Sequence, residues 1–285
     1  MNARIVLVDA NNFYASCETV FEPALARRPL VVLSNNDGIV VAANEHAKRL
    51  GLKGQPFFRI RDLLRRHGGV ARSSNYELYA DMSRRFHSLL GRHAATQEIY
   101  SIDESFLTVP GGVTADWGRA LRAQVRQWLG LPVAVGLGHT KTEAKLANHW
   151  AKRYRLFDGV ADATALSDQT RTLLLRQTPV GELWGVGRRL STRLQSAGIH
   201  TVADLLALEG EAVRRIGHLP LWRLWAELHG QPQFTLQTVP EANRTIASSR
   251  SFARPVTALA ELEAALADYA MTAMQKLWRQ KLVAG

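Results

Sequence analysis

Three features of the sequence predict an α/β protein with a mixed sheet, joined to an all-helical unit and a short C-terminal segment. Apolar strand patterns alternate with amphipathic helix patterns as far as about residue 166, as strands covered by helices require. From there to about residue 230 only helix patterns occur. Pro232 and Pro240 then bracket a linker to one further strand and one long helix.

Each element has a local reason. Ile5-Val6-Leu7-Val8 is an unbroken apolar run that ends on Asp9, as a buried central strand does when it delivers a polar residue to an edge. Residues 29–33 read as a second strand, stopped by the turn residues Asn35-Asn36-Asp37-Gly38. Residues 39–43 lead into a helix over 44–50 that Gly51 closes. After Tyr76, the residues Leu78, Met82, Phe86 and Leu89 recur at helical spacing, and strands are expected around 99–109. Trp117, Leu121, Val125 and Trp128 mark the next helix, which leads to the strand Val133-Ala134-Val135-Gly136. The helical unit contains Leu173-Leu174-Leu175 and helices expected over 183–197, 202–208 and 219–228. A strand over 245–254 and a helix over 259–277 complete the chain.

Composition narrows the class of function. With 46% hydrophobic and 21% charged residues, the 285-residue chain has the makeup of a soluble globular protein of two or three units. Lys plus Arg number 36 against 25 Asp plus Glu, and the net charge of +11 points to a polyanionic partner, most simply nucleic acid. A single cysteine, Cys17, excludes an internal disulfide and a cysteine zinc site, which fits a reducing cytoplasm. The apolar run 5–8 is too short for a signal peptide or membrane span, so a cytoplasmic location without membrane partners is expected.

The stretch YSIDESF (100–106) sets two acids side by side among strand residues. In a regular strand their side chains would point to opposite faces, burying one carboxylate at high cost. If a tight turn at 101–104 breaks the alternation, Asp103 and Glu104 both reach the edge where Asp9 emerges. Three such carboxylates repel one another unless a divalent cation joins them. Magnesium suits oxygen ligands, and two such ions can clamp the attacking and leaving oxygens of a phosphoryl transfer. The competing reading is a solvated hairpin turn. The segment HTKTEAKLANHWAKRY carries Lys141, Lys145, Asn148 and Lys152 on one side of a helix. That stripe is either a solvated lysine face or a cradle for a triphosphate or a DNA backbone. Lys48 could reach the same ligand from the other side.

The segments DANNFYASCE (9–18), NEHAKRLGLKGQP (44–56), YSIDESF, VGLGHTKTEAKLAN (135–148) and WGVGRRLSTRLQSAGI (184–199) resemble, in order and spacing, the Y-family translesion DNA polymerases, in particular their UmuC-like branch. The resemblance covers essentially the whole chain. It implies a palm over 1–18 and 76–166, fingers over 19–75, a thumb with a helix-hairpin-helix over 167–238, and a truncated little finger over 243–285. It implies two Mg2+ ions held by Asp9, the backbone carbonyl of Ala10, Asp103 and Glu104. Phe13 and Tyr14 would hold phosphate through backbone N–H groups, and Lys48, Lys152 and Lys145 through their charge. Tyr14 would be a steric gate, because a rigid ring beneath the sugar leaves no room for a 2′-hydroxyl; on the sequence alone it could equally pack in the core beside Phe13. Gly185-Val186-Gly187 with Arg188 and Arg189 would contact DNA phosphate through backbone and charge, where an isolated Gly-x-Gly is otherwise a helix-capping turn. Where many relatives carry Thr and Tyr as triphosphate contacts, this chain has Ala42 and Glu45, so those roles are not carried over.

The implied activity is error-prone, template-directed addition of a dNTP to a primer 3′-hydroxyl opposite damaged bases in the SOS response. The implied partners are primer-template DNA, a dNTP, a UmuD-type dimer and a recombinase filament; with so short a C-terminal segment, a sliding-clamp contact is not expected. Two other readings compete. A catalytically impaired DNA-binding remnant is motivated by the single strand and helix after the linker, since one strand makes no sheet. A nucleotide cyclase with a similar layout is disfavoured by the basic charge and the helix-hairpin-helix.

Overall fold

The computed structural model describes residues 3–239, 245–249, 252 and 254–283. Its centre is β1 (Arg4–Ala10), whose Val6, Leu7 and Val8 are almost fully buried, so the run of apolar residues covers both faces of the strand. β5 (Thr96–Ile99), β6 (Glu104–Val109), β7 (Val133–Gly138) and β8 (Val160–Asp162) complete a five-stranded sheet of order β5-β6-β1-β7-β8. β1 is antiparallel to β6 and β7, and β7 is parallel to β8, so the sheet is mixed as expected.

Two helices cover one face of this sheet and one covers the other. α4 (Tyr76–Gly91) and α5 (Ala115–Leu129) pack Phe86, Leu121 and Val125 onto Val6 and Val8. α6 (Lys141–Arg153) lies on the opposite face, with Ala144 against Leu7 and Phe106. α6 comes close because β7 presents glycines: a Cβ on Gly136 would lie 2.2 Å from the Ala144 carbonyl oxygen and 2.3 Å from the Asn148 nitrogen. A smaller sheet of order β3-β2-β4 joins β2 (Leu30–Leu33), β3 (Val40–Ala43) and β4 (Val70–Arg72). Its core is closed by α2 (Glu45–Arg49) and α3 (Phe57–Arg66) through Ala47, Ile60 and Leu64. α1 (Phe13–Phe21) follows β1 directly and packs between the two sheets.

α7 (Asp168–Gln177), α8 (Arg188–Ser196), α9 (Val202–Leu206) and α10 (Gly210–Leu228) form the helical unit. Its core is continuous with α6 through Trp150, whose indole N–H donates to Thr178 Oγ1 at 2.9 Å. Two buried acids fasten the chain beyond α10. Glu227 accepts the N–H and hydroxyl of Thr142 and the N–H groups of Gln233 and Phe234. Glu98 accepts Lys141 Nζ at 2.8 and 2.7 Å and the Gln237 N–H at 2.8 Å.

Several elements differ from the sequence reading. The helix expected over 183–197 begins only at Arg188, because Gly185 turns the chain at φ +82. α10 begins at Gly210, nine residues ahead of the helix expected from 219, and breaks at His218 (φ 56, ψ −162) just before Leu219-Pro220. α1 and α3 had no counterpart in the expectation. Of the strand expected over 245–254, the described residues 245–249, 252 and 254 carry no strand, and 250, 251 and 253 lie outside the described residues. α11 (Leu259–Arg279) forms as expected and buries none of its side chains. Among the described residues no helix is long and apolar enough to cross a membrane.

Replacing Gly136 with Ala forces a methyl group into α6 backbone that cannot swing aside, so the variant should lose at least about 1–3 kcal/mol of stability, read as a lower urea midpoint.

Candidate active site

A four-residue connection answers the problem of the adjacent acids. β5 ends at Ile99 and β6 starts at Glu104; the N–H groups of Tyr100 and Ser101 both donate to the Glu104 carbonyl, at 3.0 and 3.2 Å. Asp103 therefore belongs to the turn and escapes the strand's alternation. Its carbonyl accepts the Ala10 N–H at 2.8 Å, while Glu104 stands opposite Asp9 in the β1–β6 register. Opposed residues of an antiparallel pair share a face. For Asp9 and Glu104 it is the face of Leu7, which α6 covers.

α6 meets both carboxylates with ammonium groups. Lys152 Nζ lies 2.6 Å from Asp9 Oδ2, and Lys145 Nζ lies 2.8 Å from Glu104 Oε2. Burial pushes the Asp9 carboxyl up to about 7 against the pull of Lys152, and hydrogen bonding with Glu104 adds to the rise. Burial also acts to raise Glu104, but its bonds to Asp9 and Lys145 outweigh it and hold that carboxyl down. The two titrate as a pair with the proton on Asp9. Asp103 is on the same cavity, of about 390 Å³, as Asp9, Ala10, Tyr14, Lys48 and Lys152. Its carboxylate, however, accepts the Ser101 hydroxyl at 2.7 Å. Among the described residues no three His, Cys, Asp or Glu side chains form a closed ligand set. The structure thus brings Asp9 and Glu104 side by side and sets Asp103 on the same cavity, turned toward its own loop.

The lysine stripe divides along its length: Lys152, about one-third exposed, stands at the cavity, while the residues nearer the start of α6 turn into the fold. Lys141 is 4% exposed and paired with Glu98, and the Asn148 amide donates to the Ala134 carbonyl at 2.9 Å. Those residues point into the sheet because the glycines of β7 draw α6 down onto it.

With this geometry in place, the comparisons decide the family. Residues 8–149 match the family model described as impB/mucB/samB. The chain is 46% identical over 277 residues to the protein UmuC of Salmonella typhimurium, covering 95% of this chain and 65% of that protein. The chain belongs to the impB/mucB/samB family. Similarity extends to the protein MucB of Escherichia coli, 42% identical over 96% of this chain and 66% of that one. It also reaches DNA polymerase IV of Corynebacterium diphtheriae, 33% identical over 79% of this chain and 51% of that one. The chain thus spans about 65% of the length of its UmuC and MucB relatives. Among solved structures, DinB from Sulfolobus solfataricus shares the fold at a TM-score of 0.68 and 23% identity, over 82% of this chain and 69% of that one. A Dbh ternary complex shares it at a TM-score of 0.70 and 21% identity, over 96% of this chain and 80% of that one.

In this impB/mucB/samB protein the other expected site residues fall into two places. Tyr14 is half-buried, stacked on Tyr79 with ring centroids 4.4 Å apart and planes at 14°, and edge-on to Tyr76 at 6.2 Å. Burial, Tyr76 and Asp103 raise its phenol, which keeps it neutral. Phe13 is buried in the core, and α1 starts without a side-chain cap because Asn12, in the left-handed region at φ 52, turns its amide to Glu45 Oε1 at 3.0 Å. The first-turn amides of α1 are therefore without a side-chain acceptor at the cavity wall. Glu45 also takes Lys48 Nζ at 3.0 Å, and the Asn12 bond followed by Lys48 holds its carboxyl down despite burial. The Gly185-Val186-Gly187 turn lies elsewhere, in the helical unit. Val186 enters that core, Gly187 begins α8 with no side-chain cap, and Arg188 and Arg189 are exposed.

Three residues went unread. Lys53 lines the cavity from within the quoted segment NEHAKRLGLKGQP. Ser83 and His87 grip the acidic turn from α4: the Ser83 hydroxyl donates to the Ile102 carbonyl at 2.6 Å, and His87 Nε2 donates to the Ser101 carbonyl at 3.0 Å. Their signal was two polar residues, one helical turn apart, on an otherwise apolar helix face.

Asp9 binds a proton in the folded state up to about pH 7, whereas unfolded it loses that proton near its ordinary 3.8, so its contribution to stability declines as pH rises across that interval. Asp9→Asn should therefore gain on the parent's melting temperature as pH rises in metal-free buffer, by more at pH 8 than at pH 5; an equal difference at both pH values would contradict the assignment.

Proposed function

We propose that this chain is a DNA-directed DNA polymerase of the translesion type, adding a dNTP to a primer 3′-hydroxyl opposite damaged template bases in the SOS response. The observation that carries the reading is the register that holds Asp9 against Glu104 while the hairpin turn sets Asp103 on the cavity shared by Tyr14, Lys48 and Lys152. The names of the relatives, UmuC and DNA polymerase IV, support it, as does the likeness in fold to a structure titled as an insertion ternary complex of Dbh DNA polymerase. In this reading residues 1–18 and 76–166 are the palm, 19–75 the fingers, 167–238 the thumb and 243–285 part of a little finger.

The donor set is all oxygen, and a carboxyl still protonated near neutrality marks a site short of positive charge; both fit a hard divalent cation. Asp9, the Ala10 carbonyl, Asp103 and Glu104 would hold two Mg2+ ions, which when bound supply charge stabilisation to the attacking and leaving oxygens. The 3′-oxygen forms its bond to the α-phosphorus as the bond to the β-bridging oxygen breaks. The electron pair leaves with diphosphate, and the hydroxyl proton passes to solvent. Lys48 and Lys152 would meet phosphate charge as point charges, Lys152 exchanging Asp9 for a phosphate oxygen. Lys145 stays on Glu104 and orients it. The backbone amides of Phe13 and Tyr14 complete the grip at the start of α1. Stacking on Tyr79 fixes the Tyr14 ring, which gives it the rigidity that a gate against a 2′-hydroxyl needs. Gly185, Val186 and Gly187 offer backbone, and Arg188 and Arg189 charge, to a DNA phosphate. A UmuD-type dimer, a recombinase filament and a cytoplasmic, nucleoid-associated location belong to the same reading.

Asp103→Ala should lower magnesium-dependent primer extension on the order of 10²-fold or more, the scale of losing a preorganised charge-stabilising group, with duplex binding nearly unchanged. Preserved extension would refute the ligand role. A parent chain that binds duplex yet never extends a primer would instead favour the impaired DNA-binding remnant. Tyr14→Ala should reduce discrimination against ribonucleotides by about 10- to 100-fold, measured as the ratio of kcat/KM for dNTP and rNTP.

A further inference from the structure

The acidic cavity does not end at its lysines. Asn12, Lys48 and Lys152 also wall a second cavity of about 590 Å³, which continues past Asn11 to His149 and Arg153. Asn12, Glu45 and Pro132 in turn border a third, of about 670 Å³, beneath Arg119, Arg122 and Arg126 of α5. The three make one trench leading away from the carboxylates.

The cations along it are not equally available. In the outermost cavity Arg119 is paired with Asp116, Arg122 with Asp158, and Arg126 is spent on the Gly130 carbonyl. In the middle cavity, Lys48 and Lys152 are shared with Glu45 and Asp9, whereas Arg153 is exposed and makes no hydrogen bond or ion pair among the described residues. Glu45 is the sole acid on that wall, and its carboxylate is already committed to Asn12 and Lys48. Asn11 lines the same wall, its Oδ1 buried and without a hydrogen-bond partner among the described residues. A guanidinium fork suits phosphate oxygens, and His149, kept neutral by burial, can still donate one ring N–H.

We propose that the Asn11, His149 and Arg153 segment of the trench is a second phosphate subsite, which receives the diphosphate leaving group from Lys48 and Lys152 and passes it toward solvent. The inference rests on the nucleotidyl transfer proposed above. Successive cations let a highly charged product move by exchanging one partner for the next, avoiding a step in which its charge is uncompensated.

The test is calorimetric titration of inorganic pyrophosphate into the full chain with magnesium chloride present, beside steady-state extension for the parent and Arg153→Gln. Arg153 is exposed, so the variant should fold as the parent does. Its pyrophosphate affinity should fall about tenfold, the scale of one hydrogen bond to a charged group, with the KM for dNTP changed less than twofold. Unchanged pyrophosphate binding overturns the subsite, and so does an equal loss for dNTP and pyrophosphate, which would make Arg153 part of the triphosphate grip. A parent that binds pyrophosphate through Arg153 but never extends a primer would keep the subsite and sink the polymerase reading. Extension with pyrophosphate binding indifferent to Arg153 would do the reverse.

Discussion

The closeness of α6 to the large sheet is the constraint from which the site follows. Carboxylates set opposite each other at the inner end of a sheet would be strongly disfavoured in a low-dielectric interior. Here each has an ammonium group at hydrogen-bond distance, delivered by residues two helical turns apart on one helix. That helix can supply them only because Gly136 and Gly138 let its backbone lie directly on β7. A bulkier strand would hold α6 farther off, beyond the reach at which lysine offsets the burial of charge. Even so, compensation is incomplete: Asp9 retains its proton to about pH 7. The apo site is therefore held together by internal cations and remains short of positive charge.

The same face shows how a purely structural ion pair differs from one suited to exchange. Lys141 and Glu98 are both nearly excluded from solvent, and Glu98 takes a second bond from the Gln237 N–H, so this pair is locked within the fold and ties down the chain beyond α10. Lys152 and Lys48, by contrast, are each about one-third exposed and sit at the cavity, with partners that a polyvalent ligand can replace. Along α6, Lys141 thus holds the architecture, whereas Lys152 stands at the cavity.

Much of this was legible in the sequence, for reasons that can be traced to particular residues. The strand run ending on Asp9 and the break in alternation at Ser101 to Glu104 are local signals, and local hydrogen bonds settle them. The fate of the lysine stripe was not legible, because periodicity fixes a shared face but cannot say that the face meets Glu98, Glu104 and Asp9 from distant segments. α1 escaped notice because its start is set by a left-handed Asn12 and no capping oxygen; α3 escaped because four arginines mask the few apolar positions it buries. The kink at His218 depends on a backbone pair (φ 56, ψ −162) that almost only glycine adopts.

Glu45 shows how these levels join. Its carboxylate holds the Asn12 amide away from the first turn of α1, leaving that helix end uncapped, and at the same time engages Lys48. Two phosphate-attracting features, free amides and an ammonium group, are therefore kept in place by one acid whose own charge opposes phosphate. In the proposed nucleotide reading, a polyphosphate would have to compete with Glu45 for Lys48.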